Sequence, residues 1–416
     1  MSLLSVDDAL KAITGALTPL TAETVQMREV GAQNAVNDVL GRVLAEEITA
    51  RYDHPPHDVS AMDGYAVRQA DLNKGPLTVI GESAAGHPFG QSLQGGEAVR
   101  IFTGAYCPDG SDTIIIQEDA EHQGTSLTIT EHAPKGRYIR PKGNDFSSGD
   151  CLAQKGDVIT SRLLALMASA GIDTFTLYPR PRVAIISTGD ELVAPGMPTL
   201  EGQIVSSNGL FLKNFLTRIG ADAIDLGIIK DNEKAIDQAF EDASSADLII
   251  TSGGASVGQH DGIAQAMAEN GRTDTSLNFW RVAMRPGKPL IFGNIKGTPM
   301  LGLPGNPVST GVCAIVFASA AIKAMTGQDL SRHWGMDIRK GRLGQDLNAN
   351  DKRQEYLRAT LDYDDDGVAI VTPFSQQDSG MMQHFTNADV LVIRPAFADA
   401  AKAGDQVSFI PIPDGI

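Results

Sequence analysis

The sequence predicts a multidomain chain, one domain α/β and the others rich in β structure, on three observations. From Arg182 to about Ala324, apolar runs of strand length alternate with helical patterns. Between about residues 50 and 150, short β-like runs are separated by Gly, Pro and Asp turns, the texture of a compact all-β insert. Beyond Gly327 the helical patterns give way to hairpin-spaced β runs, as in a small antiparallel domain. A chain of 416 residues is too long for one core, and at roughly 100–200 residues per domain it divides into about three or four.

Composition narrows the partners. The formal net charge of −17 argues against nucleic acid and anionic membranes, so an anionic ligand needs a locally basic pocket. Cys107, Cys151 and Cys313 show neither CxxC nor CxH spacing, which supports neither a disulfide framework nor a zinc site. The first residues, MSLLSVDDALKAI, lack a basic stretch followed by an apolar one, and no apolar run is expected to approach the roughly 20 residues that a bilayer requires. A cytoplasmic protein is expected.

Taken in order, Ser5 precedes VDDALKAITGAL, whose early aspartates and apolar spacing predict a capped amphipathic helix. A second helix is expected near Val36 to Ile48. In YDHPPHDVSAMDGYAVR the prolines enforce an extended approach and Asp63-Gly64 marks a turn before a short strand. His54 and His57 in this loop read as solvated side chains rather than metal ligands, because no further ligands lie nearby. The runs LTVIG, AVRIFTG, TIIIQED and SLTIT build the insert, RYIRPKGND is its basic exit loop, and a helix follows at Ser161 to Ala170, stopped by Gly171.

From Arg182 the runs VAIIST, SNGLFLKNFLTRIG, IDLGIIKD, EKAIDQAFEDA and DLIITSGG predict successive β-α-β units, and hence a parallel sheet with helices on both faces. Such sheets bind ligands at the carboxyl ends of their strands. Here those ends carry Glu191, Asp231 and the turn Ser252-Gly253-Gly254, with Asp261 opening the next helix. Backbone N–H groups in such a strand-loop-helix turn can cradle a phosphate, and a carboxylate facing phosphates calls for a cation, so Glu191, Asp231 and Asp261 are candidate Mg²⁺ ligands. A tight turn with a capping aspartate is the plainer reading of that stretch. A further loop, GLPGNPVS, leads into an apolar helix near Thr310 to Ala324; Pro304 and Pro307 stiffen it, while Gly305 lets the backbone approach a flat ligand. Arg281, Arg285 and Lys288 form a basic cluster expected in the same sheet, and two guanidiniums four residues apart can grip a tetrahedral oxyanion. Acids, bases and a Gly-rich cradle together describe a site for a phosphorylated substrate with Mg²⁺.

Five ordered motifs carry a resemblance: SAMDGYAV at Ser60 to Val67, STGDEL at Ser187 to Leu192, TSGGASVGQHD at Thr251 to Asp261, RPGKP at Arg285 to Pro289 and GLPGNPVS at Gly302 to Ser309. With them the chain resembles the molybdopterin molybdenumtransferases, bacterial relatives of the gephyrin E domain, over nearly its whole length. The resemblance implies an enzyme of molybdenum cofactor biosynthesis that takes adenylylated molybdopterin and molybdate, cleaves the pyrophosphate and releases AMP as molybdenum enters the dithiolene. It implies a homodimer with a cleft shared between subunits, and other molybdenum cofactor biosynthesis proteins as candidate partners. Matched motif by motif, it assigns functional positions to Asp63, Thr103, Arg140, Asp145, Glu191, Asp231, Asp261, Pro304, Pro307 and Ser379. The family commonly has lysine where this chain has Arg281, and lysine or arginine at Arg285.

The implied architecture is a helix in residues 1–26 that packs with an α/β molybdopterin-binding domain at 181–326. An elongated linker or dimerisation domain, small and mixed, comprises 27–49 and 147–180, and the β insert comprises 50–146. Residues 327–416 form a C-terminal antiparallel β domain. Two other functions fit parts of the pattern. The sheet domain also resembles molybdopterin adenylyltransferases, against which the SAMDGYAV insert and the C-terminal β domain argue. A gephyrin-like scaffold is the other, although no peptide groove is specified.

Overall fold

The computed structural model describes residues 3–26, 39–254 and 275–413. Its central sheet has six strands in the order Asp222–Ile229, Arg182–Thr188, Leu248–Ser252, Thr298–Leu303, Ile291–Ile295, Thr275–Trp280. The first four run parallel. The last two add antiparallel, which corrects the expectation of a wholly parallel sheet. The cause is local: only Lys296 and Gly297 separate Ile295 from its partner Thr298, and both have positive φ, so the chain turns back as a hairpin where a crossover has no room.

Alternation along the strands sorts side chains to two faces. Val183, Ile185, Ile250 and Leu301 pack with the helices Asn208–Arg218 and Pro307–Met325, whereas Ala184, Ile186 and Ile249 pack with Glu233–Asp242. The helix Val6–Ala16 joins the first of these cores. The Ser5 hydroxyl accepts the Asp8 N–H at 3.0 Å as its cap, and Val6, Ala9, Leu10 and Ile13 form its buried stripe.

The helical run Pro307–Met325 corrects another expectation. Its 19 residues are long and apolar enough to cross a membrane, but 89% of the window is buried inside the protein. It is the central helix of the largest core. Midway, Ala314–Ala318 widens into a π-type turn.

The helix expected near Val36 to Ile48 begins outside the described residues, and Val43–Leu44 and Ile48–Thr49 are strands instead. Gly41, at a φ of 74°, turns the chain there, and Leu44 and Ile48 enter a small core with Met167, Phe175 and Leu177. The helix Ser161–Ser169 and the strand Thr174–Tyr178 complete that region; the latter also pairs with Glu23–Gln26, which the sequence reading did not recognise as a strand. The insert holds a six-stranded sheet and a two-stranded ribbon that joins Val59–Ser60 to Ile139–Arg140. His54 stacks on Phe146 and His57 packs against Tyr106.

In the C-terminal region Gln354–Tyr363 pairs with both Ala369–Pro373 and Val390–Arg394, so five strands close into a barrel. It is not purely antiparallel: Arg339–Leu343 and Ala369–Pro373 run parallel. Closure removes exposed edges at its circumference.

Candidate functional site

A cleft of about 450 Å³ opens at the carboxyl ends of the four parallel strands. Thr188, Gly189 and Glu191 line it from the loop after Arg182–Thr188, and Asp231 from the loop after Asp222–Ile229. The turn Ser252-Gly253-Gly254 and the loop Pro304-Gly305-Asn306-Pro307 supply its other walls. Apolar surface comes from Leu192, Ile204 and Val205. The cleft can therefore hold a ligand with an anionic part and a flat apolar part.

Two of these loops are locked together. The Asn208 side-chain amide donates to Ser252 Oγ at 2.8 Å and to the Gly305 carbonyl at 2.7 Å, so one residue at the start of the helix Asn208–Arg218 fixes the cradle and the proline loop. Gly253 has a φ of 91°, and a Cβ there would lie 2.4 Å from the Thr188 carbonyl oxygen. Only glycine fits where this turn crosses the neighbouring strand.

Negative charge gathers around Asp231. The Asp231 N–H donates to Asp190 Oδ1 at 3.2 Å. Partial enclosure of the Asp231 carboxyl, together with the charges of Asp190 and Glu191, raises it above the usual carboxylate range. Among the described residues no three His, Cys, Asp or Glu side chains converge as a metal site; Asp231 and Glu191 are the two carboxylates that line the cleft. Asp261, with the helix expected from it, lies outside the described residues.

The other candidates fall elsewhere. Asp63, Thr103, Arg140 and Asp145 all lie in the insert, and none lines the cleft of its own chain. Asp63 and Thr103 form a unit: Asp63 Oδ1 accepts the Thr103 N–H at 2.8 Å and hydroxyl at 2.9 Å, which holds its carboxyl below the usual range. The adjacent Gly64 is dictated by packing, since a Cβ there would sit 1.9 Å from the Ile115 carbonyl oxygen. Arg140 pairs through its backbone with Val59, and the Asp145 N–H donates to the His54 carbonyl.

The basic segment is not part of the central sheet, a correction to the sequence reading. Met284–Arg285 adds as a parallel strand to Gln354–Tyr363 of the barrel, with Arg285 opposite Glu355. The Arg285 guanidinium pairs with the Glu355 carboxylate, lies 3.9 Å from Asp351 and reaches Asn350 Oδ1 at 3.5 Å. Arg281 adopts a φ of 103°, and the Lys288 carbonyl accepts the Val282 N–H. Ser379 is a barrel residue that meets the proline loop: its hydroxyl accepts from the Asn306 amide at 3.0 Å and its carbonyl accepts the Val308 N–H at 3.2 Å.

One residue went unread in the sequence. Arg358, 1% exposed, donates to the Asp378 carbonyl at 3.1 Å, and its Nε has no hydrogen-bond partner. Desolvation pushes its guanidinium down to about 10. It therefore braces the turn that presents Ser379. The signal was an arginine in EYLRATLDY, inside a run otherwise patterned as a buried strand.

Comparison with known proteins covers almost the entire chain. Residues 4–171 match the family described as MoeA N-terminal region (domain I and II), 184–324 that of a probable molybdopterin binding domain, and 340–412 that of the MoeA C-terminal region (domain IV). The molybdopterin molybdenumtransferase of Haemophilus influenzae is 34% identical over 390 residues, spanning 93% of this chain and 94% of that one. The protein of the same name from a Nostoc species is 33% identical over 383 residues, spanning 90% and 87%. The crystal structure of a molybdopterin biosynthesis MoeA protein from Pyrococcus horikoshii superposes with a TM-score of 0.80 at 29% identity, covering both chains fully.

Proposed function

Since the chain belongs to the molybdopterin molybdenumtransferase (MoeA) family and so to molybdenum cofactor biosynthesis, we propose that it inserts molybdate into adenylylated molybdopterin with Mg²⁺-dependent cleavage of the pyrophosphate. One observation carries the reading: Asn208 ties the Ser252-Gly253-Gly254 turn to the proline loop in the same cleft that Asp231 and Glu191 line. A pre-organised turn sharing a cleft with crowded carboxylates suits a phosphorylated ligand whose charge a cation bridges.

The residues take the following roles. The turn Ser252-Gly253-Gly254 faces the phosphates, its Gly253 N–H held by the Leu303 carbonyl at 3.3 Å, and Pro304, Gly305 and Pro307 shape the wall against which the pterin lies. Asp231, Asp261 and Glu191 hold Mg²⁺, which when bound neutralises the pyrophosphate and the leaving AMP. Arg281, Arg285 and Lys288 bind molybdate, with Ser379 where the barrel meets the proline loop. Asp63, Thr103, Arg140 and Asp145 serve the cleft of a second copy, in a homodimer whose domains follow the ranges given above. The protein works in the cytoplasm, where other molybdenum cofactor biosynthesis proteins supply and receive the pterin.

The test is AMP release from adenylylated molybdopterin, Mg²⁺ and molybdate. Removing one partner of a charge-assisted pair costs on the order of 1.5–3 kcal/mol, or roughly ten- to a hundredfold in affinity. Arg285→Ala is expected to raise the molybdate concentration for half-maximal release by that order and to leave pterin affinity little changed. Weakened pterin binding with an unchanged molybdate dependence would assign the cluster to the nucleotide phosphates.

A further inference from the structure

The same arginine that is read as an oxyanion ligand already has an anion. The Arg285 guanidinium pairs with the Glu355 carboxylate, and the pairing is set by the backbone, because Arg285 and Glu355 stand opposite one another in adjacent strands while Glu355 also stands opposite Arg394. The Glu355 side chain is 15% exposed, against 44% for Arg285. The arginine has freedom to change partners and the glutamate has little room to withdraw into water.

On the proposed reading of Arg285 as a molybdate ligand, we infer that Glu355 is an internal competitor for the guanidinium and sets both the affinity and the charge selectivity of the oxyanion site. A doubly charged oxyanion offers Arg285 more charge than the carboxylate it displaces. A singly charged anion offers no more, so the resident glutamate keeps it out. Asp351 is not equivalent: its carboxylate is held by the Arg353 guanidinium at 2.8 Å and is 3.9 Å from Arg285.

The experiment measures molybdate binding to the full chain by calorimetry, and the molybdate dependence of AMP release, in Glu355→Gln, Glu355→Asp, Asp351→Asn and Arg285→Ala. Glu355→Gln is expected to lower the half-saturating molybdate concentration by roughly two- to fivefold, the range for a partly exposed ion pair, and to make perchlorate an effective inhibitor. Glu355→Asp, which keeps the charge but withdraws it, is expected to fall between, and it carries the test if the glutamine variant folds poorly. Asp351→Asn removes the same charge from the same patch and is expected to change molybdate binding less. Equal effects of Glu355→Gln and Asp351→Asn would overturn the inference in favour of a general field. So would an unchanged molybdate affinity in Glu355→Gln alongside a weakened one in Arg285→Ala, and that outcome leaves the oxyanion reading intact. Unchanged binding in Arg285→Ala would remove the oxyanion reading itself, and the competitor role with it.

Discussion

Asp231 shows how a single carboxyl couples stability to ligand binding. Its ordinary pKa is 3.8, and in the folded chain enclosure and the neighbours Asp190 and Glu191 raise it. Ionisation therefore costs more in the folded than in the unfolded chain. The stability linked to this group is fully present below 3.8 and is lost as pH rises through the raised value. At neutral pH the ionised group is a net cost, which Mg²⁺ would offset on the proposed reading. Mg²⁺ is expected to raise the Tm near pH 7 and to do so less toward pH 4. Asp231→Asn is expected to raise the Tm without metal, to lose most of the Mg²⁺ gain and to slow AMP release by roughly tenfold or more, the size of a lost charge-assisted contact. Thermal scans with and without Mg²⁺ at both pH values check this, and an equal Mg²⁺ gain in the variant would remove Asp231 from the metal site. Asp231 was legible in the sequence because it follows an apolar run that ends at a strand's carboxyl edge. Arg358 was not, because its role comes from a turn twenty residues away that only the closed barrel brings over it.

Among the elements, the alternating strands and helices between Arg182 and Ser252 were read correctly, and the errors fall where pairing partners decide. Residues 296–297 make a hairpin that adds antiparallel strands to a sheet expected to be parallel, and Val43–Leu44 and Ile48–Thr49 are strands because their neighbours pair with them. The basic segment 281–288 carries no mark in its own sequence that it joins the barrel. The same dependence on partners makes Asn208 the residue that couples two loops. Asn208→Ala removes two hydrogen bonds, each contributing about 1 kcal/mol net, so a fall of about 2 kcal/mol in pterin affinity or stability is expected. Comparing Tm with the KM for adenylylated molybdopterin separates the two. A raised KM with an unchanged Tm identifies the bonds as pre-organising the cleft, and no change in either would show that the loops hold their positions unaided.

For the whole molecule, the separation of Asp63 and Thr103 from their own cleft makes a prediction about assembly. If the insert of one chain completes the cleft of another, Asp63→Asn and Asp231→Asn, each strongly impaired alone, restore activity when co-folded. Random pairing makes half the dimers mixed, each with one intact cleft, so AMP release returns to about a quarter of the native value. Absence of recovery despite mixed dimers, seen by mass spectrometry of differently tagged chains, would place both residues in service of one subunit's cleft.

The helix Pro307–Met325 has a consequence for how the protein is made. Part of its cover is synthesised after it: Tyr356, Phe385, Leu391 and Ile410 of the barrel belong to the same core, and Phe385 presses so closely on Gly311 that a Cβ there would lie 2.5 Å from its ring. Until those residues leave the ribosome, a growing chain presents a segment that by length and polarity alone would pass for a membrane anchor. During that interval the chain is a natural client for chaperones and a poor candidate for membrane insertion machinery to meet. A nonsense codon shortly after Met325 would make the interval permanent, yielding insoluble or misdirected protein rather than a smaller enzyme.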